Sequence, residues 1–273
     1  MDLQIGGKKA LITGAAGTIG RATASRLLAE GVGVVLSDTP DKDLEDVRDA
    51  LENERTLSDA GDGPSIVCRP ADLSSAEGAD VLVDGLATDI DILVHAAGIT
   101  GAKGDPLDPG EDDWTRAWQI DFMSAVRLSK ALVPRMADAG WGRVVFITSE
   151  NASQSYPDEV VYNSAKAALL AFAKGLSMPY AKRGVLVNCV APAFIETNMT
   201  DQMMEKRAEE MGVDVEEAVR TFLEAERPYL VLERRGRAEE VADVIAFLCS
   251  RLSSFVVGSN YRVDGGAVVG LDV

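Results

Sequence analysis

With 273 residues, 47% of them hydrophobic, the chain is long enough to bury one large α/β core. A formal net charge of −17 argues against nucleic acid, whose phosphates demand a basic face, and no apolar run reaches the length needed to span a membrane. No signal peptide, Pro- or Ser-rich linker, internal repeat or low-complexity tract divides residues 1–273, so a single domain is expected.

Near the start, Lys8-Lys9-Ala10-Leu11-Ile12 reads as a short buried strand that leads into Thr13-Gly14-Ala15-Ala16-Gly17-Thr18-Ile19-Gly20. A helical pattern from Arg21 to Glu30 follows directly. Strand, glycine-rich turn and helix N-terminus together make an anion site, because backbone N–H groups point outward, glycines admit a pyrophosphate and the helix dipole favours its charge. An ordinary tight turn is the alternative. The next strand, Gly33 to Asp38, ends in a carboxylate that suits the two adenosine ribose hydroxyls and repels the extra phosphate of NADP. No arginine or lysine stands at Ala15, Ala16 or Thr39 to rescue a 2′-phosphate, so the expected cofactor is NAD. A plain surface-turn role is the other reading of Asp38.

Apolar runs alternate with helical patterns along the remaining chain. Parallel strands are expected at about residues 8–13, 33–38, 65–70, 91–95, 143–148, 185–190 and 259–263. The nearly continuous apolar character of the central ones suits a doubly wound, Rossmann-type α/β sheet with helices on both faces. Cys68, Cys189 and Cys249 are odd in number and read as small buried thiols of a reducing cytoplasm. His95 is the one histidine, so no metal site is expected, and the lack of a Gly-x-Ser-x-Gly elbow speaks against a serine hydrolase.

Tyr162 and Lys166 form a Tyr-x-x-x-Lys step, and Ser149 lies thirteen residues before Tyr162, just past the apolar run Val144-Val145-Phe146-Ile147. Residues four apart on a helix project from one face, so the pair can share a pocket that a strand-end serine also reaches. A free phenol has a pKa of about 10, and an adjacent ammonium is expected to lower it. That geometry suits proton transfer to a carbonyl oxygen. Taken singly, the pair also reads as a tyrosine above a solvated lysine, and Ser149 as a helix cap.

Together these motifs resemble the classical short-chain dehydrogenase/reductase family along nearly the whole chain. Asp72-Leu73 looks like the pair that contacts the adenine ring. His95-Ala96-Ala97-Gly98 matches the family's Asn-Asn-Ala-Gly turn at its last two positions. The segment Asn188 to Ala193 is similar to the Pro-Gly stretch along the nicotinamide, with Ala193 where glycine is usual, and Val263-Asp264-Gly265-Gly266 matches the end of the last strand. Three departures stand out. Gly14, Gly17 and Gly20 spell the glycine pattern of the extended relatives, which carry a separate C-terminal domain that this chain is not expected to have. The asparagine pair is replaced by His95 and Ala96, and Asp121 occupies the position of the family's catalytic asparagine.

The resemblance implies NAD(H)-dependent interconversion of a secondary alcohol and a ketone. Tyr162 would be the general acid/base, Ser149 would hydrogen-bond the reacting oxygen, and Lys166 would tune Tyr162 and hold the nicotinamide ribose. Asp121 is either the far end of a proton relay or a residue that caps or bends its helix. Cofactor contacts are expected from Gly14, Gly17, Thr18, Ile19, Gly20 and Asp38 around the adenosine and pyrophosphate. Asp72, Leu73, Ala96, Ala97 and Gly98 follow along the sheet edge, and Pro192, Ile195, Thr197, Tyr162 and Lys166 surround the nicotinamide end. Ser149, Asn151, Tyr156 and Tyr162 are expected to meet the substrate, with Glu150 and Gln154 nearby.

A substrate lid is expected over about residues 198–235, where Met199, Met203, Met204, Met211, Phe222, Leu223, Tyr229 and Leu230 either adapt to a large apolar alcohol or pack the lid onto the domain. A 3-oxoacyl-thioester reductase is the rival activity, and a non-catalytic NAD-binding sensor or scaffold is the rival of another class. Family members associate through helices corresponding to about 112–137 and 158–182, so a homodimer or homotetramer is expected, with Trp114, Trp118, Leu169 and Phe172 as surplus apolar positions.

Overall fold

The computed structural model describes residues 2–56 and 63–271. β1 (Lys9–Thr13), β2 (Gly33–Ser37), β3 (Ile66–Cys68), β4 (Ile92–His95), β5 (Gly142–Ile147), β6 (Val185–Pro192) and β7 (Asn260–Val263) form one sheet in the order β3-β2-β1-β4-β5-β6-β7. Every pairing is parallel. The expected strands are all present. Their ends shift by a residue or two, most at β3, which is trimmed at both ends, while β6 runs on to pair with β7 up to Pro192. The strand order reverses beside β1, so the chain leaves β1 and β4 toward opposite sides and opens a crevice above their C-terminal ends.

Side chains alternate across the sheet as the pleat requires. Ile12, Val94, Val145 and Val190 pack on one face with α1 (Thr18–Ala29). Leu11, Leu93, Phe146 and Val187 pack on the other, a fully apolar pattern that explains the nearly unbroken hydrophobic strands. α2 (Leu44–Thr56) and α3 (Ala76–Asp84) complete the first half. Cys189 and Cys249 are buried thiols, whereas Cys68 is half-buried on β3.

The helix expected over 112–137 is interrupted. α4 (Glu111–Ala117) and α5 (Ser124–Asp138) are separated by a π-helical turn, Trp118–Met123. The wider turn shifts the side-chain phase, and Asp121 ends up with no exposed surface. The helix expected over 158–182 begins with a 3₁₀ turn, Pro157–Glu159, and continues as α6 (Val160–Ala181). Of the surplus apolar positions, Leu169 and Phe172 belong to the core: Leu169 is fully buried and Phe172 packs against Phe122 and Phe146. Trp114 and Trp118 stay exposed.

Residues 198–235 fold as α7 (Asn198–Met211) and α8 (Val215–Glu226) with a loop behind them, followed by α9 (Ala238–Cys249). Met204, Phe222, Leu223 and Leu230 form a separate small core with Phe194 and Ala267, so packing rather than ligand contact accounts for them. Met199, Met211 and Tyr229 are exposed. The two ends of the segment meet at a bridge between Ile195 and Gly236 and at an Arg235–Asp201 ion pair of 2.5 Å. No helix of the described residues is long and apolar enough to cross a membrane.

Candidate active site

The glycine-rich turn presses against the end of β4. Gly14 holds φ at 64°, and a Cβ there would stand 2.7 Å from the Ala96 carbonyl, so both conformation and space exclude a side chain. Gly17 precedes α1 in an extended conformation with no side-chain cap, leaving the first-turn N–H groups of Thr18, Ile19 and Gly20 for an outside anion. Asp38 is fixed at the rim of the same turn, Oδ2 accepting from Ala16 N at 3.0 Å and Oδ1 from Thr39 N at 2.8 Å. These features fit a dinucleotide.

Further along the crevice, Asp72 accepts from Ser74 N at 2.9 Å, and that bond holds its carboxyl below the ordinary range. The Leu73 side chain is packed in the core. Ala96 and Ala97 are half-buried, their amides bonded to the Thr13 carbonyl and hydroxyl at 3.3 Å each. Pro192 ends β6, and Ile195 is buried at the bridge. Thr197 caps α7 by accepting from Thr200 N at 3.3 Å, while Thr200 returns a bond to the Ile195 carbonyl at 2.7 Å.

His95, expected at the cofactor turn, instead buries its ring under it. Nδ1 lies 2.8 Å from the Thr13 hydroxyl and Nε2 2.8 Å from the Ser124 hydroxyl. Ser124 donates its own proton to the Ile120 carbonyl, which assigns the imidazole proton to Nε2. Burial, with a smaller contribution from Lys166, pushes the ring down to about 3, so it is neutral.

Ser149 at the end of β5, Tyr162 and Lys166 on α6, and Asp121 in the π turn come together at the crevice. Lys166 Nζ donates to the Ile147 carbonyl at 3.1 Å, stands 3.5 Å from Asp121 Oδ1 and lies 5.5 Å from the centre of the Tyr162 ring. Asp121 Oδ1 also accepts from Ile99 N at 3.0 Å, whereas Oδ2 is buried without a hydrogen-bond partner among the described residues. Gly98 sits against this pair, because a Cβ there would meet Asp121 Oδ1 at 2.5 Å. Burial opposes the Lys166 ammonium, but Tyr162 and Asp121 more than offset it and keep the lysine protonated. Asp121 is pushed up by burial, with Lys166 and the Ile99 amide pulling back. The expected lowering of Tyr162 is reversed: burial raises the phenol, and the opposing pull of Lys166 does not overcome it.

Beneath Ser149 runs a polar chain that the sequence did not reveal. Ser149 Oγ donates to Asn151 Oδ1 at 2.9 Å, and Asn151 Nδ2 donates to Glu159 at 2.6 Å and to Asn163 Oδ1 at 2.8 Å. Asn163 in turn donates to the Tyr156 carbonyl at 2.8 Å, and Lys103 pairs with Glu159 at 2.5 Å. Burial works to raise Glu159, but Lys103 and Asn151 outweigh it and hold the carboxyl below its ordinary value. Asn151 thus braces Ser149 from below. Tyr156 lies under the Arg227 guanidinium, whose carbon is 3.8 Å from the ring centre. Burial pushes the neighbouring Glu150 up to about 7 against the pull of Arg227. Arg227 and Glu159 went unmarked because neither lies in a motif; only the nearness of Glu159 to Tyr162 in the chain hinted at it.

The family model described as enoyl-(acyl carrier protein) reductase matches residues 14–268. An uncharacterized oxidoreductase of Bacillus subtilis is 31% identical over 98% of this chain and 99% of its own length. The 3-oxoacyl-[acyl-carrier-protein] reductase of Aquifex aeolicus is 32% identical over 97% of this chain and 99% of its own length. The L-sorbose reductase of Gluconobacter frateurii, solved with NADPH and L-sorbose, superimposes with a TM-score of 0.90 at 31% identity, covering 99% of this chain and all of that one. With likeness of this extent in both sequence and fold, the chain belongs to the short-chain dehydrogenase/reductase family of oxidoreductases, which act on CH–OH or keto groups.

Proposed function

We propose that the protein is an NAD(H)-dependent oxidoreductase that interconverts a secondary alcohol and a ketone. The observation that carries this reading is the convergence of Ser149, Tyr162 and Lys166, with Lys166 held by the Ile147 carbonyl and Asp121. A bound nicotinamide would supply hydride acceptance or donation; the chain supplies position and proton transfer. Tyr162 gives its phenolic proton to the ketone oxygen, or takes it from the alcohol, while Ser149 hydrogen-bonds the same oxygen. The cation of Lys166 stabilises the phenolate left behind. Gly14, Gly17, Thr18, Ile19 and Gly20 would hold the pyrophosphate, Asp38 the adenosine ribose, and Lys166 the nicotinamide ribose.

Asp38 supports NAD over NADP, since its carboxylate is fixed at the glycine-rich turn by the Ala16 and Thr39 amides with no cation at Ala15, Ala16 or Thr39. NAD(H) is expected to bind on the order of 100-fold more tightly than NADP(H), a difference that fluorescence titration of both cofactors measures. Equal or reversed affinities would sink this choice, and Asp38→Ala combined with Thr39→Arg should narrow the gap. The sorbose reductase carries NADPH, so the titration is decisive for this chain. A panel of secondary alcohols and ketones, followed by absorbance of the reduced cofactor, tests the activity. Turnover of 3-oxoacyl thioesters in preference to the whole panel would favour the second reading, suggested by the Aquifex relative.

Asp121 is assigned the far end of a proton relay through Lys166, where an ionised carboxylate can only accept. Asp121→Asn should then shift one limb of the kcat–pH profile with little change in cofactor affinity, whereas superimposable profiles leave Asp121 a structural part of the π turn. The protein is further expected to assemble as a homodimer or homotetramer. Of the four surplus positions, Trp114 and Trp118, 38% and 42% exposed, are left for an interface to cover. A monomer by light scattering at micromolar concentration contradicts this.

A further inference from the structure

Beside Ser149 lies a charged pair that the proposed chemistry leaves unused. Glu150 follows Ser149 directly in a 3₁₀ turn and is 3% exposed. Arg227, at the end of α8, reaches it from across the crevice, Nε standing 3.5 Å from Glu150 Oε1. The contact is loose. Glu150 Oε2 and Arg227 Nε are both buried, and neither has a hydrogen-bond partner among the described residues. A cavity of about 410 Å³ adjoins Arg227, with Gln154, Tyr156 and Tyr229 also in its wall.

We propose that Glu150 and Arg227 form a subsite for a second hydroxyl of the substrate, so that the enzyme acts on vicinal diols and polyols, or the matching hydroxyketones, in preference to plain alcohols. This rests on the alcohol–ketone reading above. A hydroxyl is the small group that answers both atoms at once, donating its proton to Glu150 Oε2 and accepting from the Arg227 N–H. A carboxylate satisfies Arg227 alone and is repelled by Glu150; an ammonium satisfies Glu150 alone. An alkyl or ring substituent satisfies neither and leaves two buried polar atoms facing carbon. The large apolar alcohol suggested by the methionines of the lid fits this corner poorly. Oxidation of a diol gives the hydroxyketone, two electrons and one proton passing to NAD⁺ as hydride and the hydroxyl proton leaving to solvent.

Initial rates with NAD⁺ and, separately, with NADP⁺ on 2-butanol, the stereoisomers of 2,3-butanediol and xylitol provide the test. The best diol or polyol should exceed 2-butanol by about 30-fold or more in kcat/KM, and this wild-type ratio depends on no variant folding. Glu150→Gln and Arg227→Met should each lower that ratio by about 10-fold, with Arg227→Lys retaining part of it through its donor. A wild-type ratio near one, or one favouring 2-butanol, overturns the proposal; a high ratio that neither variant alters overturns the assignment to these residues. Inertness of the whole alcohol and ketone panel with both cofactors would instead defeat the underlying reading, and the subsite with it.

Discussion

Tyr162→Phe is expected to lower kcat by about 10²- to 10⁴-fold while cofactor affinity stays close to wild type. The substitution removes one oxygen and leaves the ring packed above Lys166, whose Nζ lies 5.5 Å from the ring centre. What is lost is the hydroxyl proposed to transfer its proton to the reacting oxygen. Because burial keeps the phenol protonated at neutral pH, ketone reduction starts from the form ready to donate. In the oxidative direction the phenolate must first form, so the rate of alcohol oxidation should rise with pH. Lys166→Ala should differ in kind: it removes the cation that stabilises the phenolate and the proposed ribose contact, so turnover and cofactor affinity fall together. Stopped-flow rates and cofactor titrations of both variants give the comparison, and wild-type turnover by Tyr162→Phe would refute the proton-transfer assignment.

Acid sensitivity traced to His95 is the second large effect. Its folded value near 3 lies below the ordinary 6.5, so between those limits the unfolded chain binds more protons than the folded one. Unfolding free energy therefore rises with pH across that window, by at most about 1.4 kcal/mol per unit. The contribution is fully present above pH about 6.5 and is lost as the pH falls toward 3. Glu150, raised to about 7, acts in the opposite sense above its ordinary value of 4.5. Comparison of wild type with His95→Asn isolates the histidine. Urea denaturation at pH 7.5 should show the variant about 1–3 kcal/mol less stable, because the Thr13 and Ser124 hydroxyls lose their shared partner. By pH 5 that deficit should shrink; a constant difference would show that His95 does not govern the acid limb.

The fold was largely legible in the chain because the sheet is covered on both faces. Strands such as Val144 to Ile147 carry no polar position to blur them, and Gly14 and Asp38 mark the turn that only this topology needs. The site was legible where spacing fixes direction, as with Tyr162 and Lys166 four apart on α6. Burial is a tertiary quantity, so neither the raised phenol of Tyr162 nor the hidden ring of His95 could be read from neighbours in sequence. The π turn was missed because Trp118 to Met123 continues an ordinary helical pattern, and its wider phase shows only in where Asp121 ends up. Glu159 and Arg227 acquire their partners through loops whose paths no periodicity encodes.

The Ile195–Gly236 bridge gives the family resemblance an evolutionary dimension. It closes the neck of α7 and α8, so whatever lies between is, topologically, an insertion hung from two adjacent points of the scaffold. Closure entropy grows only logarithmically with length, and doubling such an insertion costs about 0.6 kcal/mol. Selection can therefore exchange this module wholesale while the register of β6 and β7 and the proposed proton-transfer residues stay fixed. Any replacement need only cover Phe194 and Ala267 at its base. On the proposed mechanism, the chemistry stays with the sheet while the module from the neck outward is free to change.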